Sequence, residues 1–235
     1  MKTSRDIVRL FCSAVATVFV SVSITHATEE SIAPWQQAAS DGSSSALVEL
    51  ALFYGQDETR KDEQRAFDLL LIAANRFDRP EAQINLGVLY QFGGQGIEPN
   101  TSRAAYWYSR AAQSNDPSAV VKLADLYSRG IGTPVNFEKA AVLYKSAADS
   151  GLSDAQVELG YIYETGDLGQ PDYPSALALY QQAAEQGNFI GQYNLAEMYE
   201  LGKGVEVNLD QARKWYSLSA DQGLEEAKEA LQRLQ

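Results

Sequence analysis

Apolar and small residues recur along this chain at intervals of three and four, give way to glycine-rich stretches, and then begin again. Ala46, Ala82, Ala119, Ala155, Gly191 and Ala227 head successive units spaced 36, 37, 36, 36 and 36 residues apart. Four residues on stands a leucine (Leu50, Leu86, Leu123, Leu159, Leu195, Leu231), followed in the first five units by a small residue (Ala51, Gly87, Ala124, Gly160, Ala196). Three further is a tyrosine: Tyr54, Tyr90, Tyr127, Tyr163 and Tyr199. The second half of each unit repeats through Ala66, Ala104, Ala140, Ala176 and Ala212, with Tyr108, Tyr144, Tyr180 and Tyr216 four residues later in the last four. Such spacing predicts one amphipathic helix per half. A period in this range marks a repeat architecture whose units bury their apolar faces only by stacking.

Between the halves lie Gly93-Gly94-Gln95-Gly96, Gly130-Ile131-Gly132, Gly166-Asp167-Leu168-Gly169 and Gly202-Lys203-Gly204. A glycine after a helix takes the left-handed conformation that ends it. Asn100, Asn136, Asp172 and Asn208 then stand where a short polar side chain caps the next helix. No strand pattern precedes these loops and no Lys-Ser/Thr follows them, so they read as turns rather than phosphate cradles. The expected fold is all-α: an α-solenoid of about five helix-turn-helix repeats (46–81, 82–118, 119–154, 155–190, 191–226), with a capping half-repeat over 28–45 and a capping helix over 227–235. The first unit is the most degenerate, because a charged stretch from Gln56 to Arg65 replaces its Gly-x-Gly connection.

The N-terminus changes what chemistry is open to the chain. Lys2, Arg5 and Arg9 precede an apolar run from Leu10 to Ile24, and Thr25-His26-Ala27 supplies small residues for cleavage after Ala27. Residues 1–27 therefore read as a signal peptide, and the protein as periplasmic or secreted. An apolar run of about 15 residues is shorter than the roughly 20 that span a bilayer, so membrane association after cleavage would run through a partner. Cleavage would also remove Cys12 and His26, the only cysteine and histidine. What remains has no thiol or imidazole for a Ser-His-Asp or Cys-His nucleophile, a zinc site or a haem ligand. Neither cofactor nor metal is expected. The whole chain carries 19 Lys and Arg against 31 Asp and Glu, a net charge of -12. Phosphate recognition needs a basic surface, so nucleic acid is excluded as a partner.

The pattern Ala-x3-Leu-Gly-x2-Tyr-x2-Gly-x-Gly-Val-x2-Asn/Asp, then Ala-x2-Trp-Tyr-x2-Ala-Ala, resembles the Sel-1-like repeat of the tetratricopeptide class. Asn194 to Tyr199, Gly202-Lys203-Gly204-Val205 and Ala212 to Tyr216 carry it best. The resemblance covers roughly residues 35–235. It implies a scaffold rather than an active site, with the first helix of each hairpin turned to a concave side. Exported bacterial members commonly act as adaptors in envelope signalling, secretion or exopolysaccharide systems. The disulfide pairs of a β-lactam-binding, cysteine-rich branch are absent here.

Trp107, Trp215 and the periodic tyrosines are read as core. Candidate partner-binding residues are instead those that the repeat does not dictate: Gln91, Asp125, Ser128, Glu158, Tyr161, Glu164, Tyr193, Asn194, Glu197 and Glu200. Towards the C-terminal half this set becomes acidic with interleaved tyrosines. Tyrosine offers contact area with a polar tip, and carboxylates select a basic segment of another protein. An acidic face that serves only solubility is the alternative. A further alternative is cell-wall or exopolysaccharide chemistry by a carboxylate pair such as Glu164 and Glu197, which needs a deep pocket that the repeat pattern does not offer.

Overall fold

Each half-unit of the sequence becomes a helix of three turns or so, because its apolar stripe needs a neighbour and its ends carry their own stop signals. The computed structural model describes residues 29–56, 63–94 and 97–234. The signal segment expected over 1–27, with Cys12 and His26, lies outside the described residues, as do Gly96 and most of the charged stretch after Gln56. Among the described residues there are twelve helices and no strand. They are α1 (Glu29–Ser40), α2 (Ser44–Gln56), α3 (Glu63–Arg76), α4 (Pro80–Phe92), α5 (Thr101–Ala112), α6 (Pro117–Arg129), α7 (Phe137–Asp149), α8 (Ser153–Thr165), α9 (Tyr173–Glu185), α10 (Phe189–Leu201), α11 (Leu209–Asp221) and α12 (Glu225–Arg233). No described helix is long and apolar enough to cross a membrane. The chain forms two compact units, divided between Asn136 and Phe137.

The same loop closes hairpin after hairpin. Gly130, Gly166 and Gly202 take the left-handed conformation at the ends of α6, α8 and α10, as the glycine spacing predicts. Side chains of Asn100, Asp172 and Asn208 accept from the backbone N–H of Arg103, Ser175 and Gln211, capping α5, α9 and α11. The backbone N–H of the capping position also donates to a tyrosine carbonyl of the preceding helix: Asn100 to Tyr90 at 2.6 Å, Asn136 to Tyr127 at 2.9 Å, Asp172 to Tyr163 at 2.8 Å and Asn208 to Tyr199 at 2.9 Å. That bond fixes where the second helix begins.

In the N-terminal unit, Leu50, Tyr54 and Ala66 join α2 to α3, and Tyr108 of α5 is fully buried over Gly87 of α4. In the C-terminal unit a continuous core runs from Val157 through Tyr180, Tyr193, Leu195 and Tyr216 to Ala230. Trp107 is buried and Trp215 packs against this second core, so the periodic aromatics are packing residues. α12 exposes Glu225, Lys228, Glu229, Gln232 and Arg233, while Ala227 and Ala230 face inward.

Backbone and ring meet so closely that a single methyl decides stability. A Cβ on Gly160 would come within 2.7 Å of the Tyr180 ring, which is fully buried and has nowhere to move. A Cβ on Gly55 would sit at an ordinary 3.8 Å from Ala66. Gly160→Ala should lower stability by about 1–2 kcal/mol, since overpacking outweighs the helix propensity gained. Gly55→Ala should raise it by up to ~1 kcal/mol. Urea unfolding followed by circular dichroism reads both, and a Gly160→Ala protein as stable as the parent would refute the contact.

Candidate functional site

The candidate residues fall on three-and-four spacings of α4, α6, α8 and α10, which puts those of each helix on one face. In the C-terminal unit, Glu158, Tyr161 and Glu164 lie along α8, and Tyr193, Asn194, Glu197 and Glu200 along α10, which packs beside it. Tyr161, Asn194, Glu197 and Glu200 are partly exposed. Glu158, Glu164 and Tyr193 are buried. In the N-terminal unit, Gln91 and Asp125 are partly exposed, whereas Ser128 is buried and donates to the Asp125 carbonyl at 3.2 Å. Burial gives Ser128, Glu158, Glu164 and Tyr193 structural surroundings that their sequence positions do not reveal.

One position in the repeat, nine residues after its opening small residue, has a defined task. A tyrosine hydroxyl buried in a helix interface needs a hydrogen-bond partner. Tyr108 donates to Gln91 Oε1 at 3.1 Å, Tyr180 to Glu164 Oε2 at 3.0 Å and Tyr216 to Glu200 Oε2 at 2.7 Å. The acceptor thus comes from the first helix of the same hairpin each time. Where it is a carboxylate, a cation arrives from the following unit. Lys203 Nζ, in the Gly-Lys-Gly loop, lies 2.8 Å from Glu164 Oε1. Arg233 Nη2, on α12, lies 2.9 Å from both oxygens of Glu200.

These networks set the local electrostatics. Burial, and then the charge of Asp125, push the Tyr108 hydroxyl well above the ordinary phenol range. Tyr216 is pushed up likewise by burial first, then by its bond to Glu200 and the charges of Glu197, Glu200 and Tyr193. Its ring centroid is 5.4 Å from that of Tyr193. The bond to Glu200 holds the Arg233 guanidinium above its usual value. Tyr193, Glu197 and Glu200 are therefore brought together around one hydroxyl. Glu164 belongs to a separate knot with Tyr180 and Lys203, so its place is that of an interior ion pair. The described residues contain no cluster of His, Cys, Asp and Glu able to hold a metal ion.

Sequence reading did not single out Lys203 or Arg233. The available signal was the tyrosine fixed in the last four units, which demands an acceptor and thereby makes the ninth position part of the fold. A polar ladder was also missed: Gln156 donates to Gln182 at 3.3 Å and accepts from Gln186 at 2.8 Å, and Gln192 accepts from Gln222 at 2.9 Å. These amides tie the end of each second helix to its neighbours inside the C-terminal unit.

The family model for the Sel1 repeat matches residues 44–76, 80–116, 117–152, 153–188 and 190–224. The chain belongs to the Sel1 repeat family. Its fold is similar to that of c5321, a protective antigen of uropathogenic Escherichia coli, with 36% identity and a TM-score of 0.80 over 86% of this chain and 43% of that one. A Sel1 repeat protein from Oxalobacter formigenes is 30% identical, with a TM-score of 0.75 over 87% of this chain and 77% of that one. Among curated relatives, the chitin synthase regulator SKT5 of Saccharomyces cerevisiae is 37% identical over 99 residues, 41% of this chain and 14% of SKT5. HRD3A of Arabidopsis thaliana, a component of an ERAD-associated E3 ubiquitin-protein ligase, is 28% identical over 75 residues, 32% of this chain and 11% of HRD3A. The chain thus spans under a sixth of either curated relative. Sel1-repeat proteins generally mediate protein–protein interaction, and their scaffold is typically non-enzymatic.

Two expectations follow from the Sel1 networks. Lys203→Met takes a cation from a buried carboxylate and should cost about 3 kcal/mol. Adding Glu164→Gln should restore most of the loss, because the amide oxygen still accepts from Tyr180. Urea midpoints of the single and double variants test this, and a double variant weaker than Lys203→Met would overturn it. For the tyrosines, a hydroxyl held protonated by the fold contributes stability that is intact below its unfolded pKa of about 10 and lost as pH rises beyond it. Tyrosinate absorbance for the Tyr108 and Tyr216 class should appear only together with loss of helix. Ionisation of all 13 tyrosines with the helices intact would contradict the assignment.

Proposed function

We propose that this Sel1-repeat protein is an exported scaffold, periplasmic or secreted, that binds a basic segment of another protein and so recruits or regulates an envelope system. The observation that carries the reading is the acidic, tyrosine-bearing surface of the C-terminal unit. There Tyr161 of α8 and Asn194, Glu197 and Glu200 of α10 are partly exposed on neighbouring helices. Their backbones are set by buried tyrosines and interior ion pairs, so little conformational entropy is left to lose on binding. In the N-terminal unit, Asp125 and Gln91 are likewise partly exposed.

Export rests on the basic start, apolar run and small-residue site of residues 1–27. The adaptor role draws support from relatives that are by name a regulator of chitin synthase and a component of a ubiquitin ligase. Carboxylates steer a basic partner and set its register, while tyrosine supplies contact area that orders at small cost. Glycan hydrolysis by Glu164 and Glu197 finds no favouring observation, because Glu164 is engaged in the interior with Lys203.

Crosslinked capture from the native envelope fraction tests this reading, comparing the parent with Tyr161→Ala, Glu197→Ala. Tyr193 is kept, since its ring packs on Tyr216. An envelope protein held by the parent and reduced about tenfold or more in the variant, with helix content unchanged, is the expected result. Equal capture by both proteins, or retention of glycan alone, would reject it.

A further inference from the structure

An open cleft of about 350 Å³ lies in the N-terminal unit, between α3, the end of α4 and the start of α5. Phe67, Tyr90, Ile97 and Pro99 give it apolar walls, with Glu98 and Arg103 as its charged members. Phe67 meets Tyr90 edge-on at 5.7 Å, and the Arg103 guanidinium lies 5.3 Å from the Tyr90 ring centroid with Nη1 donating to its hydroxyl at 3.3 Å. Nearby arginines are neutralised: Arg79 by Glu81 and Arg110 by Asp78. Arg103 has no carboxylate within ion-pair distance among the described residues, although the chain carries a large acidic excess.

A guanidinium already oriented on an aromatic face still offers most of its planar fork to an incoming carboxylate, beside a wall that excludes water. The site is thus built for a negative group adjoining an apolar one. In an extended peptide, successive side chains point to opposite sides, so an interior acid and its apolar neighbour cannot both enter. A C-terminal residue carries its carboxylate and its apolar side chain on the same Cα. We infer that this cleft binds the free C-terminus of a partner polypeptide ending in a large apolar residue, with Arg103 holding the terminal carboxylate and the side chain lying against Phe67, Tyr90 and Ile97. Glu98, exposed on the rim, gives the cleft a negative side that disfavours a second acid near the end of the peptide. This site is distinct from the acidic face of the C-terminal unit, so either assignment can fail while the other stands.

Fluorescence anisotropy on the full chain provides the test, with three labelled Gly/Ser peptides as probes. The first ends in phenylalanine as the free acid, the second is its C-terminal amide, and the third is the amide with an interior glutamate before the phenylalanine. The free acid should bind saturably, and the other two more weakly by about tenfold or more, the worth of one charge-assisted bidentate contact. Arg103→Gln should bring the free acid down to the level of the amide, and because Arg103 is exposed its replacement should leave the circular dichroism unchanged. Equal binding of acid and amide, equal binding of the interior-glutamate peptide, absence of saturable binding, or an Arg103→Gln protein of undiminished affinity would each overturn the assignment.

Discussion

The architecture depends on a contact between a helix backbone and a tyrosine ring. Where the first helix of a hairpin carries glycine, as at Gly87 and Gly160, the ring of Tyr108 or Tyr180 occupies the space that a Cβ would fill. That approach brings the two helices together and takes the ring fully out of water. It also sets a condition. A phenol carried into the interior brings its hydroxyl with it, and an unsatisfied hydroxyl there costs on the order of 1–3 kcal/mol. The first helix must therefore present an acceptor one turn beyond the small residue. Gln91, Glu164 and Glu200 are the answers in three hairpins.

Much of the inter-repeat chemistry follows from that condition. A carboxylate acceptor satisfies the hydroxyl but is itself costly to bury, and the cation that offsets it comes from the next unit along the chain. Lys203 and Arg233 reach back 39 and 33 residues to do so. Whereas the glutamine pairs Gln156–Gln186 and Gln192–Gln222 stay within single repeats, a bond made to complete one hairpin thereby becomes a bond between neighbours. In a repeat array, stability is close to a sum of unit terms and nearest-neighbour terms, so pairs of this kind govern how cooperatively adjacent units fold.

The sequence displayed the fold almost completely, because every rule that builds it is local and is written four or five times. Small residue, leucine, tyrosine, glycine and cap recur at fixed offsets, and the glycines and Asn/Asp caps fall at the helix ends that they specify. The site was less legible for the same reason. Glu164 and Glu200 vary in kind from unit to unit, and variation within a repeat looks like freedom. Their constraint lies across the hairpin, in tyrosines sixteen residues away, and no single-helix periodicity exposes it. Burial of Tyr193 against Tyr216 is hidden similarly, since a position two residues past the opening small residue is apolar in some units and aromatic in this one. The cleft at Arg103 lies beside a connection, between Phe92 and Thr101, that is one residue longer up to its Asn cap than the later loops, so the repeat pattern does not announce it.

The two chemistries of the acidic residues can be separated by comparing units. Gln91 satisfies Tyr108 without a formal charge, so the core by itself does not require a carboxylate at the ninth position. Charge at Glu164 and Glu200 serves the joint to the next unit, where each meets a cation. Glu197 and Asp125 stand six residues into their units, are partly exposed, and raise the buried phenols through their charge. They are the carboxylates whose charge a neighbouring molecule can feel without dismantling the interior. The proposed recognition of a basic segment at the sixth position and the ion pairs between units at the ninth thus occupy separate turns of the same helix, so the one can change while the other keeps the array intact.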